Sequence, residues 1–219
     1  MVTRLLPPRI DVCRSVPFTP LVRAGEDDGY TFEGYGAVFN SPTRIDSWEG
    51  TFDELVAPGA FRKSLTELIP KFQFDHGHHP LIGSVPIGAI TDIHEDERGL
   101  FVQARLGRHM LIDFVREALT PPDLGGTGAI NGMSFRFSVV RDEWRDRNGK
   151  KIGSEGELSR LLYGAEPERL PLQRTLLEVK CAEVGPVVWP AYPDTTASVR
   201  SNMLIPNAVA ARRLHLLEL

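Results

Sequence analysis

Residues 133–144 read Met-Ser-Phe-Arg-Phe-Ser-Val-Val-Arg-Asp-Glu-Trp and give a strong β-strand signal. One apolar row recurs at every second position of this stretch: Met133, Phe135, Phe137 and Val139. Such alternation is typical of a strand with one face against a core, and it leaves Ser134 and Arg136 on the other face. We therefore expect Ser134 to be displayed rather than buried.

The stretches on either side of this strand show both strand-like and helix-like patterns. Period-two patterns predict further strands over residues 30–39, 71–76, 84–93, 100–106 and 176–188, the last broken by Pro186. Apolar residues at helical spacing predict amphipathic helices over 60–68 and 109–119. A charged loop separates the third and fourth of these strands, so we expect them to pair as a hairpin.

The ends of the chain lack the periodicity of its centre, which divides the sequence into three parts. Residues 1–29 are Pro-rich and aperiodic, so we expect an N-terminal arm followed by a folded domain over 30–197. Within that domain, residues 141–174 carry 15 charged side chains in 34 positions without a sustained apolar period, which predicts an exposed excursion. Residues 198–219 form a C-terminal tail, in which 207–219 has the pattern of an amphipathic helix.

The composition indicates an ordinary globular protein and excludes several classes of function. Of the 219 residues, 42% are hydrophobic and 25% charged, and a net charge of -4 gives no global electrostatic reason to bind nucleic acid or an anionic membrane. No stretch approaches the ~18–20 apolar residues that cross a bilayer, and no signal-peptide core is visible. Cys13 and Cys181 are too few for a disulfide framework or a thiolate zinc site, so we expect a cytoplasmic protein without a metal or other cofactor.

The densest cluster of chemically active side chains is Asp75-His76-Gly77-His78-His79. If the strand over 71–76 keeps its alternation, His76 shares a face with Phe72 and Phe74 and is partly buried at the edge of a packed surface. A general base needs an imidazole held in one tautomer in such a place, so His76 is a candidate base. A polar loop or an adventitious metal site is the alternative interpretation of three histidines so close together.

Ser134 is a candidate nucleophile because it follows a glycine-bearing loop that ends at Gly132. A nucleophilic serine needs a base beside its hydroxyl and backbone amides for the oxyanion, and a glycine-rich approach can supply those amides. Arg136, two residues further on, could add positive charge. An ordinary strand serine is the alternative interpretation.

The candidate third group is Glu183, at the end of the inward-facing row of the strand over 176–188. The same row holds Leu177, Val179 and Cys181. A carboxylate there needs a partner, which can be a histidine ring, as in a catalytic triad, or an arginine in a structural ion pair. Asp92 is a lesser rival for this role, and Glu178 and Lys180 lie on the other row, which we expect to face solvent.

Six short motifs occur in a fixed order across about residues 30–200 of the chain. They are Gly34-Tyr35-Gly36-Ala37-Val38-Phe39-Asn40, Pro58-Gly59-Ala60-Phe61, Phe74-Asp75-His76, Gly99-Leu100-Phe101-Val102-Gln103-Ala104, Gly132-Met133-Ser134-Phe135-Arg136-Phe137, and Glu183-Val184 with Pro190-Ala191-Tyr192-Pro193. In this order they resemble the caudovirus prohead serine proteases, the prohead maturation proteases of tailed bacteriophages. Arg136 is a departure, because the serine motif of that family usually has glycine at this place.

The resemblance implies a serine endopeptidase with the fold of the herpesvirus assembly proteases, an α+β architecture in which helices surround a β-barrel core. It implies that His76 is the base and Ser134 the nucleophile, and Glu183 matches the acidic position of the family best. The implied partners are the scaffolding protein and the major capsid protein, with its scaffold-like N-terminal segment, and copies of the chain itself. Cleavage, including self-cleavage near the termini, would take place inside the prohead in the host cytoplasm, with no nucleic-acid or membrane partner.

Two other functions are open alternatives. A catalytically silent capsid-assembly or scaffold-binding module would keep the same fold, but a degenerate relative is expected to have lost His76 or Ser134, and this chain retains both. A metal-dependent hydrolase would use His76, His78 and His79 with a carboxylate. That alternative is disfavoured because histidines in one tight glycine turn rarely converge on an ion without a distant further ligand.

Overall fold

The computed structural model describes residues 6–17, 29–47, 49–164 and 166–189. The predicted C-terminal tail over 198–219, with its helix over 207–219, lies outside the described residues. Among the residues that are described, no helix is long and apolar enough to cross a membrane.

Nine strands and three α-helices make up the described part of the chain. The strands are β1 Val12–Pro17, β2 Thr31–Val38, β3 Thr43–Ser47, β4 Gly50–Val56, β5 Lys71–Phe72, β6 Gly88–Glu95, β7 Gly99–Leu106, β8 Gly132–Arg145 and β9 Leu172–Val187. The α-helices are α1 Arg62–Glu67, α2 Met110–Leu119 and α3 Glu155–Leu162. Short 3₁₀ turns occur at Asp75–Gly77, Pro122–Leu124 and Pro167–Arg169.

The strands form one mixed sheet that curls into a nearly closed barrel. The strand order is β1-β8-β9-β5-β6-β7-β2, and β3 joins this sheet through β4, which pairs with β9. The β4 and β5 strands run parallel to β9, whereas the other pairs are antiparallel. Because β2 also packs against β8 and β1, the two ends of the order come together. The predicted α+β fold with a β-barrel core is confirmed.

The main core fills the inside of the barrel with aromatic and aliphatic side chains. The apolar row predicted on β8 is buried, since Met133, Phe135, Phe137 and Val139 are all at most 6% exposed. Phe61, from the turn before α1, packs against Phe135 with their ring centroids 5.3 Å apart. Each such buried ring contributes on the order of 1.5–3 kcal/mol relative to an exposed one, so this row anchors β8 firmly.

The charged segment over 141–174 differs from the exposed excursion that the sequence predicts. Its apolar residues, together with two from β3 and β4, form a second buried cluster: Ile45, Phe52, Trp144, Ile152, Leu158, Leu161 and Leu172. They show no period in the sequence because they come from several elements. The charged residues are compatible with burial because they pair with one another, as Arg169 does with Asp146 and Glu157 at 2.8 Å each.

The folded part also begins earlier than the sequence predicts. Residues 12–17, placed by the sequence in an N-terminal arm, form β1 and pair antiparallel with β8, from Val12 opposite Phe137 to Pro17 opposite Gly132. The interpretation as an arm was wrong for these residues. Tertiary pairing with a long, well-anchored strand outweighs the weak local pattern of a six-residue strand.

Most of the other predicted elements are confirmed, with shifted ends. The predicted hairpin forms from β6 and β7, and the second predicted helix is α2. The strand predicted over 176–188 is β9, which begins at Leu172 and continues through Pro186. The strand predicted over 71–76 was wrong beyond Phe72, because the chain turns away from the sheet after β5.

A close crossing of two backbones holds the chain after β5 against β9. The backbone N–H of Gln73 donates to the carbonyl oxygen of Val184 at 3.2 Å. A Cβ atom placed on Gly185 would lie only 1.8 Å from the carbonyl oxygen of Gln73. Only glycine therefore allows the segment that carries His76 to lie this close to β9.

We predict that Gly185→Ala lowers the free energy of unfolding by ~3 kcal/mol, the upper end of the range for overpacking. The loss is large because the backbone, and not a flexible side chain, must move to make room for the added Cβ atom. Urea unfolding followed by circular dichroism measures the change. Gly153→Ala is the matched control, since a Cβ there meets nothing within 4 Å, and it should change stability by less than ~0.5 kcal/mol. Equal stability of the two variants would show that the crossing is not as tight as described.

Candidate active site

Ser134 lies in the middle of the sheet, on β8 between β1 and β9. It stands opposite Ser15 of β1 and Gly185 of β9. The residue is 0% exposed, so the expectation that it is displayed was wrong. The alternation places Ser134 on the face away from the Met133 row, but β1 and the turn that carries His76 cover that face.

His76 reaches Ser134 from a strained turn instead of from a strand. The residue has φ 54° and ψ 23°, in the left-handed region, and Asp75 before it has φ 50°. Two consecutive residues other than glycine in this region cost roughly 1–3 kcal/mol each, and such strain is often found at functional sites. The turn brings Nε2 of His76 within 2.6 Å of Oγ of Ser134.

Glu183 lies on the opposite side of the His76 ring. Its Oε2 atom is 2.6 Å from Nδ1 of His76, and the side chain is only 1% exposed. Its other carboxylate oxygen, Oε1, is buried without a hydrogen-bond partner among the described residues. Arg136 is a more distant neighbour, with Nε 3.8 Å from Oε2 of Glu183 and 3.7 Å from Asp11. The histidine is therefore the closest partner of this carboxylate.

The hydrogen-bond partners determine where the protons of the site reside. The single hydroxyl proton of Ser134 is donated to the carbonyl oxygen of Arg14 at 2.9 Å, so Nε2 of His76 must donate to Oγ. Nδ1 of His76 must also carry a proton, because the carboxylate of Glu183 only accepts. The ring is then an imidazolium, and the pair with Glu183 is an ion pair.

The electrostatic surroundings of His76 agree with this proton count. Burial alone would lower the pKa of His76, but hydrogen bonds with the side chains of Cys13 and Glu183 and the negative charge of Glu183 raise it to about 10. The contact with Cys13 comes from β1. The presence of β1 in the site therefore favours the charged ring, which cannot accept the proton of Ser134.

The other candidates from the sequence lie away from this cluster. Asp92 is exposed and pairs with His94 at 3.1 Å, and Glu178 pairs with Lys63 at 3.4 Å. The ring of His78 is 6.2 Å from that of His76, centroid to centroid. His79 accepts hydrogen bonds from backbone amides of its own turn. Within the described ranges, no three His, Cys, Asp or Glu side chains are grouped as a metal site requires.

Sequence reasoning missed two residues of β1 that contribute to the site. The carbonyl of Arg14 meets Ser134, and Cys13 contacts His76. The available signal was the pair of β-branched residues Val12 and Val16 four positions apart, which is compatible with a strand. The prolines on both sides of this segment obscured that signal.

Ser134, His76 and Glu183 are thus joined in sequence by hydrogen bonds on a barrel-like sheet, which is the arrangement of a Ser-His-acid triad. Residues 20–206 match the family model described as caudovirus prohead serine protease, and the chain belongs to this family. It is 28% identical over 145 residues to the prohead protease of Enterobacteria phage HK97. The match covers 63% of this chain and 55%, about half, of that relative. No solved structure matches the chain.

We predict that His76 titrates near pH 10 rather than near 6.5. Because the folded-state pKa is raised, the contribution of the ion pair to the free energy of unfolding is complete below about pH 6.5 and is lost as pH rises through about 10. Glu183→Gln should lower the pKa of His76 and weaken this pH dependence. NMR of the histidine rings and urea unfolding at several pH values measure the two effects.

The matched control for this experiment is Glu178→Gln, which removes a carboxylate from the same strand, where it faces Lys63 instead of His76. It should leave the titration of His76 unchanged. Titration of His76 near 6.5 in the wild-type protein, or the same shift in both variants, would contradict the described pairing.

Proposed function

We propose that the protein is a serine endopeptidase of phage prohead maturation. Its substrates are the scaffolding protein or the scaffold-like N-terminal segment of the major capsid protein, and the chain itself, cut inside the prohead in the host cytoplasm. The single observation that carries the proposal is the continuous contact from Ser134 through His76 to Glu183, with 2.6 Å at each step. Membership of the prohead protease family supports the biological setting.

The geometry supports acyl transfer with these residues in three roles. Neutral His76 takes the proton of Ser134 through Nε2 as Oγ attacks the peptide carbonyl, and it later gives that proton to the leaving amine. Glu183 keeps Nδ1 protonated and stabilises the imidazolium that forms during attack. Backbone amides near Ser134 stabilise the oxyanion, and water then hydrolyses the ester between Ser134 and the substrate.

The position of Arg136 supports a role near the acid rather than at the oxyanion. Its guanidinium is on the side of Glu183, 3.8 Å from Oε2, and a further nitrogen donates to the side chain of Gln73 at 3.4 Å. Arg136 thus adds positive charge beside the carboxylate on which the orientation of His76 depends.

We also propose that the proteolytic domain spans residues 30–197, with β1 as a strand added to it from the N-terminal segment. The main core supports this division, because its buried residues lie between Phe32 and Val184 except for Val12. The N-terminal segment at 1–29 and the tail at 198–219 are assigned no catalytic group.

We predict that Ser134→Ala and His76→Ala each abolish processing while the protein stays folded, because losing the nucleophile or the base costs several orders of magnitude in rate. The measurement is co-expression with the capsid and scaffolding proteins, followed by mass spectrometry of their sizes. Glu183→Gln should lower the rate by ~100-fold or more, since the imidazolium loses its counter-ion.

Two results would contradict the assignment of the triad, and a third would contradict the proposed activity. Activity above ~1% in both Ser134→Ala and His76→Ala would reject the triad. A loss with Glu178→Gln or Asp92→Asn, but not with Glu183→Gln, would mean that another carboxylate orients the histidine. Absence of processing by the wild-type chain would favour the catalytically silent assembly module.

A further inference from the structure

The β1 strand lies where an extended polypeptide would have to lie to be cut by Ser134. It adds antiparallel to β8 in a one-to-one register, with Ser15 directly opposite Ser134. The hydroxyl of Ser134 donates to the carbonyl oxygen of Arg14 at 2.9 Å. Addition of a strand to a sheet is a common mode of peptide recognition. The carbonyl that β1 presents to the nucleophile therefore belongs to Arg14, and the bond after it joins Arg14 to Ser15.

The side chain of Arg14, the residue whose backbone carbonyl meets Ser134, is buried in an acidic pocket. The whole residue is 7% exposed. Its Nε donates to Oε1 of Glu54 at 2.5 Å, and its Nη2 donates to Oε2 of Glu49 at 2.8 Å. A guanidinium held by two carboxylates through several donors is recognised by both charge and shape.

The pocket belongs to the barrel and not to β1. Glu54 lies on β4 and Glu49 in the turn just before that strand. Arg174, directly opposite Glu54 in the parallel pair of β4 and β9, donates to Glu54 at 3.2 Å and to Asp142 at 2.9 Å. Asp142 also pairs with Arg9 at 2.5 Å, so without Arg14 the cations Arg9 and Arg174 remain against the three carboxylates of Glu49, Glu54 and Asp142. The pocket then keeps one negative charge and needs a cation whenever Arg14 leaves.

We infer that Glu49 and Glu54 form a subsite for the basic side chain of the residue that supplies the scissile carbonyl, and that β1 is the internal occupant of this subsite. The inference rests on the proposed endopeptidase function. It specifies the substrate as an extended polypeptide with arginine or lysine immediately before the bond that is cut.

The chemistry at that bond follows from the register of β1. The Oγ atom of Ser134 bonds to the carbonyl carbon of the basic residue, and the bond from that carbon to the next nitrogen breaks. The proton from Ser134 passes through His76 to the released amine. Water then splits the ester, which returns the proton to Ser134 and leaves a new carboxylate on the basic residue.

The occupied subsite also explains the proton arrangement of the site. With β1 present, the hydroxyl of Ser134 is directed to the carbonyl oxygen of Arg14, and His76 has no free position that could accept a proton. The bound strand therefore rests in the groove without being attacked. A substrate must displace it, and the basic side chain of that substrate must replace Arg14 between the two carboxylates.

Binding to a protein that cannot cut tests the subsite independently of activity. The protein is the full chain with Ser134→Ala and Arg14→Ala, so that β1 no longer fills the pocket. The probe is a fluorescent peptide that copies residues 9–19 with Cys13→Ala, compared with the same peptide carrying Arg14→Gln. Fluorescence anisotropy should show at least tenfold tighter binding of the arginine peptide, because the glutamine peptide leaves two carboxylates without a cation.

Variants of the pocket show whether the carboxylates cause that preference. Glu49→Gln, in a turn, and Glu54→Gln, within the sheet, should each reduce the preference for arginine several-fold. The matched control is Asp53→Asn, next to Glu54 on β4, where the carboxylate pairs with Arg44 instead. The control should keep the full preference. If Glu54→Gln does not fold, Glu49→Gln and the change in the peptide still test the inference.

Cleavage by the chain with Arg14→Ala and an intact Ser134 separates this inference from the proposed function. The expected result is a single cut after the arginine, at least tenfold faster than in the glutamine peptide. Preferential binding without any cut would leave the subsite supported and reject the peptidase. Equal binding of the two peptides would overturn the proposed subsite. Cleavage of the two peptides at equal rates would also overturn the subsite, but it would support the peptidase function.

Discussion

The site depends on the crossing of two backbones at Gly185. The segment after β5 can lie against β9 only where β9 has no side chain, and Gly185 is directly opposite Ser134. Glu183, two residues before Gly185, points to the same side of the strand. The crossing therefore places the turn with His76 between Ser134 and Glu183. The left-handed backbone of His76 is strained, and this close packing is what stabilises it.

The sequence predicts the chemical groups of the site better than their surroundings. The alternation in β8 assigns Ser134 to the face away from the apolar row, and this inference needs only the period of a strand. The row predicted for Glu183 was wrong, because a register shift pairs Cys181 with Phe137 but Glu183 with Arg136, on the face of Ser134. The burial of Ser134 and the turn at His76 depend on β1 and on Gly185, which are far away in sequence. Periodicity has no information about such distant contacts.

Contacts between residues that are far apart in the sequence also explain the two larger differences between the predicted and the observed structure. The segment over 141–174 has the charge density of a solvated loop, yet its charges pair across strands and its few apolar residues meet those of β3 and β4. Arg174 is the clearest example, because its side chain is 1% exposed and binds Glu54 and Asp142. The number of charged residues in a segment does not show which of them form buried ion pairs in the folded chain. Likewise, β1 becomes a strand only because β8 offers a partner.

The two buried carboxylates near β1 give the strand a double role. Glu54 binds the side chain of Arg14, whereas Glu183 binds the ring whose neighbour, Ser134, contacts the backbone of Arg14. The proposed subsite and the proposed catalytic groups therefore contact adjacent parts of one strand. In the proposed mechanism, a polypeptide whose basic side chain binds Glu54 is positioned for attack by Ser134, and His76, which Glu183 orients, is the base. This coupling makes the occupied groove a resting state of the proposed peptidase.

Reaction of the full chain with a fluorophosphonate tests whether His76 activates Ser134, because this reagent modifies serines that are activated by a neighbouring base. Intact mass and peptide mapping show the extent and the place of the modification. We expect one adduct, on Ser134, formed faster in Arg14→Ala than in the wild-type chain and absent from His76→Ala. An adduct on another serine, or equal labelling of Ser134 with and without His76, would contradict it.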